Sequence, residues 1–204
     1  MDKEEIILIG AGGHAISCID VIEQQGKYKI AGLIGKKEEI GINVFGYPVL
    51  ATDNDLPKLT KKYKNIHISI GHIDKNLRSN FYNQIIKLGF SIPTIISPNA
   101  YVSEYADIGD GNIIMHGVII NAGVKIGNNC IINSRALIEH NVVIGNDCHI
   151  STNSIINGDV KIGSGTFIGS SSCIKNNISI GKKCVIGMAL SVRHDQEDNS
   201  KFTG

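Results

Sequence analysis

Residues 108–186 read IGDGNIIMHGVIINAGVKIGNNCIINSRALIEHNVVIGNDCHISTNSIINGDVKIGSGTFIGSSSCIKNNISIGKKCVI, and every sixth residue, from Ile108 through Ile114 and Ile120 to Ile180 and Ile186, is isoleucine. Val102 and Val192 extend the register at both ends without an insertion. The fourth residue after each isoleucine is small or moderately apolar, as at Val118, Cys130, Ala136, Val142, Cys148, Ser154, Thr166 and Ser172. An α-helix would space its apolar residues by three and four, and a half-buried hairpin strand would alternate by two over longer runs. A period of six fits a short strand followed by a corner. Three such units close one coil of a narrow prism, and β-branched residues suit its pleated walls. Each coil stacks on the next, so the prediction is a solenoid with a continuous isoleucine column.

The periodic part begins near Ser97-Pro98, which divides the 204 residues into an expected domain 1–97 and a second domain 98–204. A net charge of +1 gives no electrostatic footprint for nucleic acid or an anionic membrane surface. The acidic N-terminus leads into a strand rather than a signal-peptide pattern, and no apolar run reaches membrane-spanning length. The five cysteines include no CxxC pair, and Cys130, Cys148 and Cys184 occupy the inward small-residue position. That usage fits reduced core cysteines in a cytoplasmic protein. Cys148 in particular reads as packing rather than as an acyl carrier.

Before the solenoid, Glu4 to Ile9 reads as a buried strand and Ile16 to Gln25 as an apolar-periodic helix. Between them lies Gly10-Ala-Gly-Gly-His-Ala15. A glycine turn opening a helix brings backbone N–H groups close to phosphate. A dinucleotide unit would also place Asp or Glu at the end of the second strand, Lys29 to Ile34, but Gly35-Lys36-Lys37 stands there. The turn therefore fits the phosphates of a nucleotide sugar better than a nicotinamide cofactor. Gly46-Tyr-Pro-Val-Leu50 reads as a turn and short strand, Asn65 to Ile70 as a third strand, Asn76 to Gly89 as a second helix, and Ser91 to Ile96 as a last strand. The expected fold is an α/β Rossmann-like βαβ domain followed by a parallel β-helix.

The glycine turn, Gly46-Tyr-Pro-Val-Leu50, Ile70-Gly71 with Arg78, and Ile138-Glu-His-Asn141 together resemble the family of sialic acid O-acyltransferases (NeuD-like) and UDP-4-amino-sugar N-acetyltransferases (PglD-like). The resemblance covers nearly the whole chain. It implies a left-handed β-helix of hexapeptide repeats, a homotrimer with acetyl-CoA bound between neighbouring prisms, and acetylation of the 4-amino group of a nucleotide-linked 4-amino-4,6-dideoxy sugar. O-acetylation of a sialic-acid-type sugar and a weakly catalytic nucleotide-sugar-binding trimer remain the alternatives. The resemblance also implies a Gly-x-Pro-Ala-Lys tail, whereas the 204 residues end on Phe202-Thr203-Gly204.

Among the residues, His140 stands two positions past Ile138, where the prism turns a corner, and should point outward. Gly158 lies one coil later and leaves space beside the imidazole for a thioester arm. Its backbone is a candidate oxyanion donor. Amine attack on a thioester sheds a proton, and an imidazole suits that transfer. The resemblance assigns the general base to His140, the acetyl carbonyl contact to His149, sugar contacts to Asn133 and His14, and the nucleotide-sugar loop to Gly10, Gly12, Gly13 and Gly71. The family places an acid directly after the catalytic histidine, where this chain has Asn141, so Glu139 is the candidate substitute. In the CoA channel the chain has Gly187-Met188, the methionine being bulkier than the family's small residues. The histidines His116, His140 and His149 lack the spacing of a metal-binding pair, and no metal is expected. His67, His72, His116 and His194 read as surface or loop residues.

Overall fold

The computed structural model describes residues 3–71 and 76–204. Of the residues singled out above, His72 lies outside them. The chain divides into two compact units, Met1–Ile95 and Ile96–Gly204.

The first unit is built on β1 (Glu4–Ile9), α1 (Gly13–Gln25), β2 (Tyr28–Gly35), β3 (Asn43–Val44), β4 (Tyr47–Thr52), α2 (Leu56–Leu59), β5 (Asn65–Ile68) and α3 (Leu77–Lys87). The sheet order is β3-β4-β2-β1-β5, parallel except for the β3–β4 hairpin, whose turn carries positive φ at Phe45 and Gly46. β1 is an interior strand, between β2 and β5, and Ile6 to Ile9 are all buried, the continuous apolar run of a parallel strand covered on both faces. Ile7, Ile9, Ile66, Ile68, Leu56, Ile85 and Phe90 form one cluster. α1 ends where Gly26 adopts φ 71° and its N–H bonds Ile22 O at 3.0 Å.

Three local expectations shift. β5 stops at Ile68 because Ser69 turns its hydroxyl onto Ile9 O and Gly10 O. The strand expected over 91–96 reduces to a bridge at Ser91 and a pair at Ile95–Ile96; Pro93, between them, has no N–H for a ladder. His67 is not a surface residue: it sits in β5, fully buried.

The second unit is a left-handed parallel β-helix. Its strands are residue pairs, the first pointing out and the second in, each hydrogen-bonded to the pair eighteen residues on, as Leu137–Ile138 to Ile155–Ile156. From Ile114 to Ile186 every isoleucine of the column is buried, and Ile108 is half-buried. The small inward positions carry hydroxyls where they can reach a corner carbonyl: Ser154 Oγ bonds Gly169 O, Thr166 Oγ1 bonds Gly181 O and Ser172 Oγ bonds Gly187 O. Cys148 is buried in the same position, and none of the five cysteines forms a disulfide.

The corners explain the polar part of the repeat. The third residue after the isoleucine takes a left-handed conformation at Asn129, Arg135, Asn141, Asp147, Asn153, Asp159, Ser171 and Asn177, with φ between 56° and 63°. Asn and Asp tolerate this region best among non-glycine residues, which accounts for their recurrence. The eighteen-residue pairing ends at the last coil, where Val185–Ile186 pairs with Lys201–Phe202, sixteen residues on.

Candidate active site

The pair Leu137–Ile138 ends one wall of the prism, and the chain turns the corner through Glu139, His140 and Asn141. The His140 side chain projects outward and is 59% exposed. Its ring covers Gly158: a Cβ built there would lie 2.5 Å from Cε1 and 2.6 Å from Nε2. The space that spacing alone assigned to a thioester arm is thus taken by the imidazole itself. Gly158 is a glycine because the catalytic candidate rests on it. Gly158→Leu is expected to displace the His140 ring and remove most turnover while the isoleucine column, and hence the melting temperature, stays unchanged. Thermal unfolding and steady-state kinetics measured together check this.

Two polar groups face Nδ1 of the imidazole. Asn141 Nδ2 lies 3.5 Å from Nδ1, and Asp159 Oδ2 lies 3.8 Å from the same nitrogen. Asn141 also donates to Asp159 Oδ1 at 3.1 Å. Glu139 leaves the corner on its other side, where Asn121 Nδ2 donates to its carboxylate at 3.1 Å. Reading only the immediate neighbours of His140 missed Asp159. The eighteen-residue period was the signal for it, since Asp159 stands one coil beyond Asn141.

Along the same corner a groove of about 570 Å³ runs toward the C-terminus, lined by Asn157, Cys173, Lys175, Asn176, Ser191 and Arg193, with Val192. Lys175 and Arg193 stand two and three coils beyond Glu139 in its own register, a row of cations the sequence analysis passed over. The other assigned residues lie elsewhere on the prism. Asn133, Gly187 and 76% exposed Met188 occupy the corner that precedes that of His140 in each coil, and His149 sits on the wall leading into it, its ring edge-on to Phe167 at 5.2 Å. One prism therefore does not bring His140 together with Met188. Among the described residues no group of three or more His, Cys, Asp or Glu side chains could hold a metal ion.

In the α/β unit the glycine turn links β1 to α1 at the carboxyl end of the sheet. Gly10 has φ 107° and a Cβ there would meet Ser69 O at 3.0 Å. Gly12 and Gly13 face open space; at the start of α1 the Ala15 N–H bonds back to Gly12 O at 2.9 Å, and the Gly13 and His14 N–H groups precede the first i−4 helical bond. Gly71 packs against the His14 ring, where a Cβ would lie 2.8 Å from Cγ. Burial, and then the positive charge of Arg78, push His14 down to about 4, so it is neutral near pH 7. At the end of β2 the acid missing at Lys36 arrives from three residues on: Lys36 N–H donates to Glu39 Oε2 at 2.7 Å, and Glu39 lies over Gly35. A short 3₁₀ turn, Lys37–Glu39, folds it back.

Residues 5–85 match the model of the PglD N-terminal domain, and residues 105–140, 123–158 and 141–176 match the bacterial transferase hexapeptide repeat. PerB from Caulobacter crescentus, crystallised with CoA and GDP-perosamine, is 30% identical, with 98% of this chain and 94% of that one covered and a TM-score of 0.91. A variant of perosamine N-acetyltransferase from the same organism, also with CoA and GDP-perosamine, gives 29% identity, 98% and 93% coverage and a TM-score of 0.92. The acetyltransferase domain of PglB from Neisseria gonorrhoeae with acetyl coenzyme A gives 25%, 100%, 97% and 0.91. With an α/β unit, a hexapeptide prism and this whole-length likeness, the chain belongs to the PglD-like family of hexapeptide-repeat sugar N-acetyltransferases.

Proposed function

We propose that the chain transfers the acetyl group of acetyl-CoA to the 4-amino group of a nucleotide-linked 4-amino-4,6-dideoxy sugar. The observation that carries the reading is the outward imidazole of His140 on the same corner as a cation-flanked groove that begins one coil on, at Asn157, in a chain similar over its length to an enzyme crystallised with CoA and GDP-perosamine. The amine nitrogen attacks the thioester carbonyl carbon and His140 takes its proton. The tetrahedral adduct collapses, the C–S bond breaks, and the thiolate leaves to be protonated as CoA while the amide remains on the sugar. Lys175 and Arg193 supply positive charge for the CoA phosphates. In the α/β unit, the open glycine turn and the helix N-terminus receive the sugar nucleotide's diphosphate, and Glu39 is placed to accept a ribose hydroxyl.

The working form in this reading is a homotrimer. Tyr101, Ile119, Leu137 and Ile155 form an outward apolar row on the wall that ends at His140, and Tyr101 is 59% exposed. His140 and Met188 stand on different corners, so one thioester meets both only where a neighbouring chain contributes its edge. Light scattering should return about three times the 22.0 kDa chain mass; a 22.0 kDa particle at micromolar concentration would remove the shared site. A cytoplasmic location belongs to the same reading, supported by five cysteines without a disulfide. Among the described residues no helix is long and apolar enough to cross a membrane.

The direct test is release of CoA thiol with GDP-, UDP- and dTDP-linked 4-amino sugars and with a free sialic acid as acceptors. Turnover on an amino-sugar nucleotide supports the proposal; turnover on sialic acid alone would replace it with O-acetylation. Gly12→Val adds its side chain where a Cβ meets nothing within 4 Å, and its two methyls extend over the turn. It should raise the nucleotide-sugar KM at least tenfold and leave the acetyl-CoA KM alone. An unchanged KM would move the diphosphate elsewhere.

A further inference from the structure

We infer that Asp159 is the carboxylate that positions His140 for proton transfer, supplied from the next coil and held in place by Asn141; the role in turnover rests on the acetyl-transfer reading above. Nδ1 of His140 faces two groups with opposite demands. An amide N–H, Asn141 Nδ2 at 3.5 Å, can donate only to an unprotonated Nδ1. That choice puts the proton on Nε2 and leaves the ring with no base on its other nitrogen. A carboxylate, Asp159 Oδ2 at 3.8 Å, can only accept from Nδ1–H, and that choice leaves the Nε2 lone pair free for the substrate's proton.

Two observations decide between them. Asn141 Nδ2 donates to Asp159 Oδ1 at 3.1 Å, a charge-assisted bond that sets the orientation of the amide, while its approach to Nδ1 is longer, at 3.5 Å, beyond the usual hydrogen-bond range. Glu139, the other carboxylate nearby, is on the far side of the corner with Asn121. The corner geometry explains why the acid can move by one coil. Asn141 and Asp159 occupy the same position of successive corners, with φ 59° and 61°, so their side chains stack along the edge and address the same ring. At 3.8 Å Asp159 is at ion-pair rather than hydrogen-bond distance. The contact tightens when the ring becomes imidazolium, so Asp159 acts on the step that creates that charge and little on substrate binding.

Asp159→Asn should lower kcat about tenfold or more and leave both KM values within about twofold. The double variant Asn141→Asp/Asp159→Asn returns the acid to the same edge one coil earlier, on a residue type the left-handed corner accepts, and should recover most of the loss. Nitrogen-15 NMR of His140 in the neutral ring provides a readout that needs no substrate: Nδ1–H in the wild type, with Nε2–H gaining in Asp159→Asn. Wild-type kcat in Asp159→Asn while His140→Ala is inactive would overturn the inference and leave the acetyl-transfer reading standing. An Nε2–H ring in the wild type would overturn it regardless of activity. An Nδ1–H ring that shifts in Asp159→Asn, in a protein that acetylates no nucleotide-linked amino sugar, would uphold the positioning by Asp159 and sink the proposed reaction instead.

Discussion

His140→Ala is expected to lower kcat on the order of 10²-fold or more, with acetyl-CoA and nucleotide-sugar KM values close to wild type. The ring is exposed at a corner and rests on a glycine, so its removal deletes no core contact and opens no buried cavity. The phosphate-binding groups assigned to the two substrates, Lys175 and Arg193 on one side and the glycine turn on the other, are untouched. What disappears is the acceptor for the amine proton. The amine must then lose its proton to water, and the adduct partitions back to thioester more often. A second comparison separates base loss from a disturbed groove. His140→Ala and Gly158→Leu should share a low kcat, but only Gly158→Leu adds bulk at the mouth of the groove, so only it should raise the acetyl-CoA KM. Full activity in His140→Ala would remove the base assignment and leave a substrate amine bound as its own free base.

The parts of this molecule that repeat were legible in the sequence, and the parts that fold back on themselves were not. Fourteen isoleucines in one register dictate the prism, because no other element places every sixth residue on one interior line. The same register put His140 on a corner, pointing out. It also carried Asp159, Lys175 and Arg193, each at a fixed number of coils from the His140 corner, yet these were missed because charge partners were sought among neighbours in sequence. In a solenoid the spatial neighbours are eighteen residues away. At Gly158 spacing shows that a side chain is absent but not which group takes the space, which the His140 ring covers. Glu39 escaped for a different reason. Its 3₁₀ turn has no periodic signature, and the carboxylate reaches the end of β2 only through a bond to the Lys36 N–H. His67 was expected in a strand but at the surface, because an ionisable ring is seldom fully buried. It lies instead inside β5, in register with Leu8 of β1, and is fully buried.

That burial has a large consequence for stability against acid. His67 is fully buried with neither ring nitrogen bonded, and Nε2 of His14 is buried without a partner. Burial first, then the charges of His14 and Arg78, push His67 down to about 3, and burial with Arg78 pushes His14 to about 4. In the unfolded chain both rings take up a proton as pH falls through 6.5, whereas the folded rings stay neutral until about 4 and about 3. Between those limits the unfolded state binds more protons, so stability is fully present above 6.5 and declines as pH falls. At pH 5 each ring should cost about 2 kcal/mol relative to pH 7.5, about 4 kcal/mol together. Two carboxylates act in opposite senses: Asp55, held below its ordinary 3.8 first by the Thr52 N–H, weakens the fold only at lower pH, and Asp53, pushed up by burial, offsets part of the acid loss. Urea unfolding at pH 7.5 and pH 5.0 measures the loss, and hydrogen exchange should place it in residues 4–68 with the prism unaffected. His67→Leu replaces a ring with two unbonded nitrogens by an apolar side chain of similar size. It should hold stability at pH 7.5 and halve the acid loss. An unchanged acid slope in His67→Leu would mean that the buried ring does not stay neutral on folding.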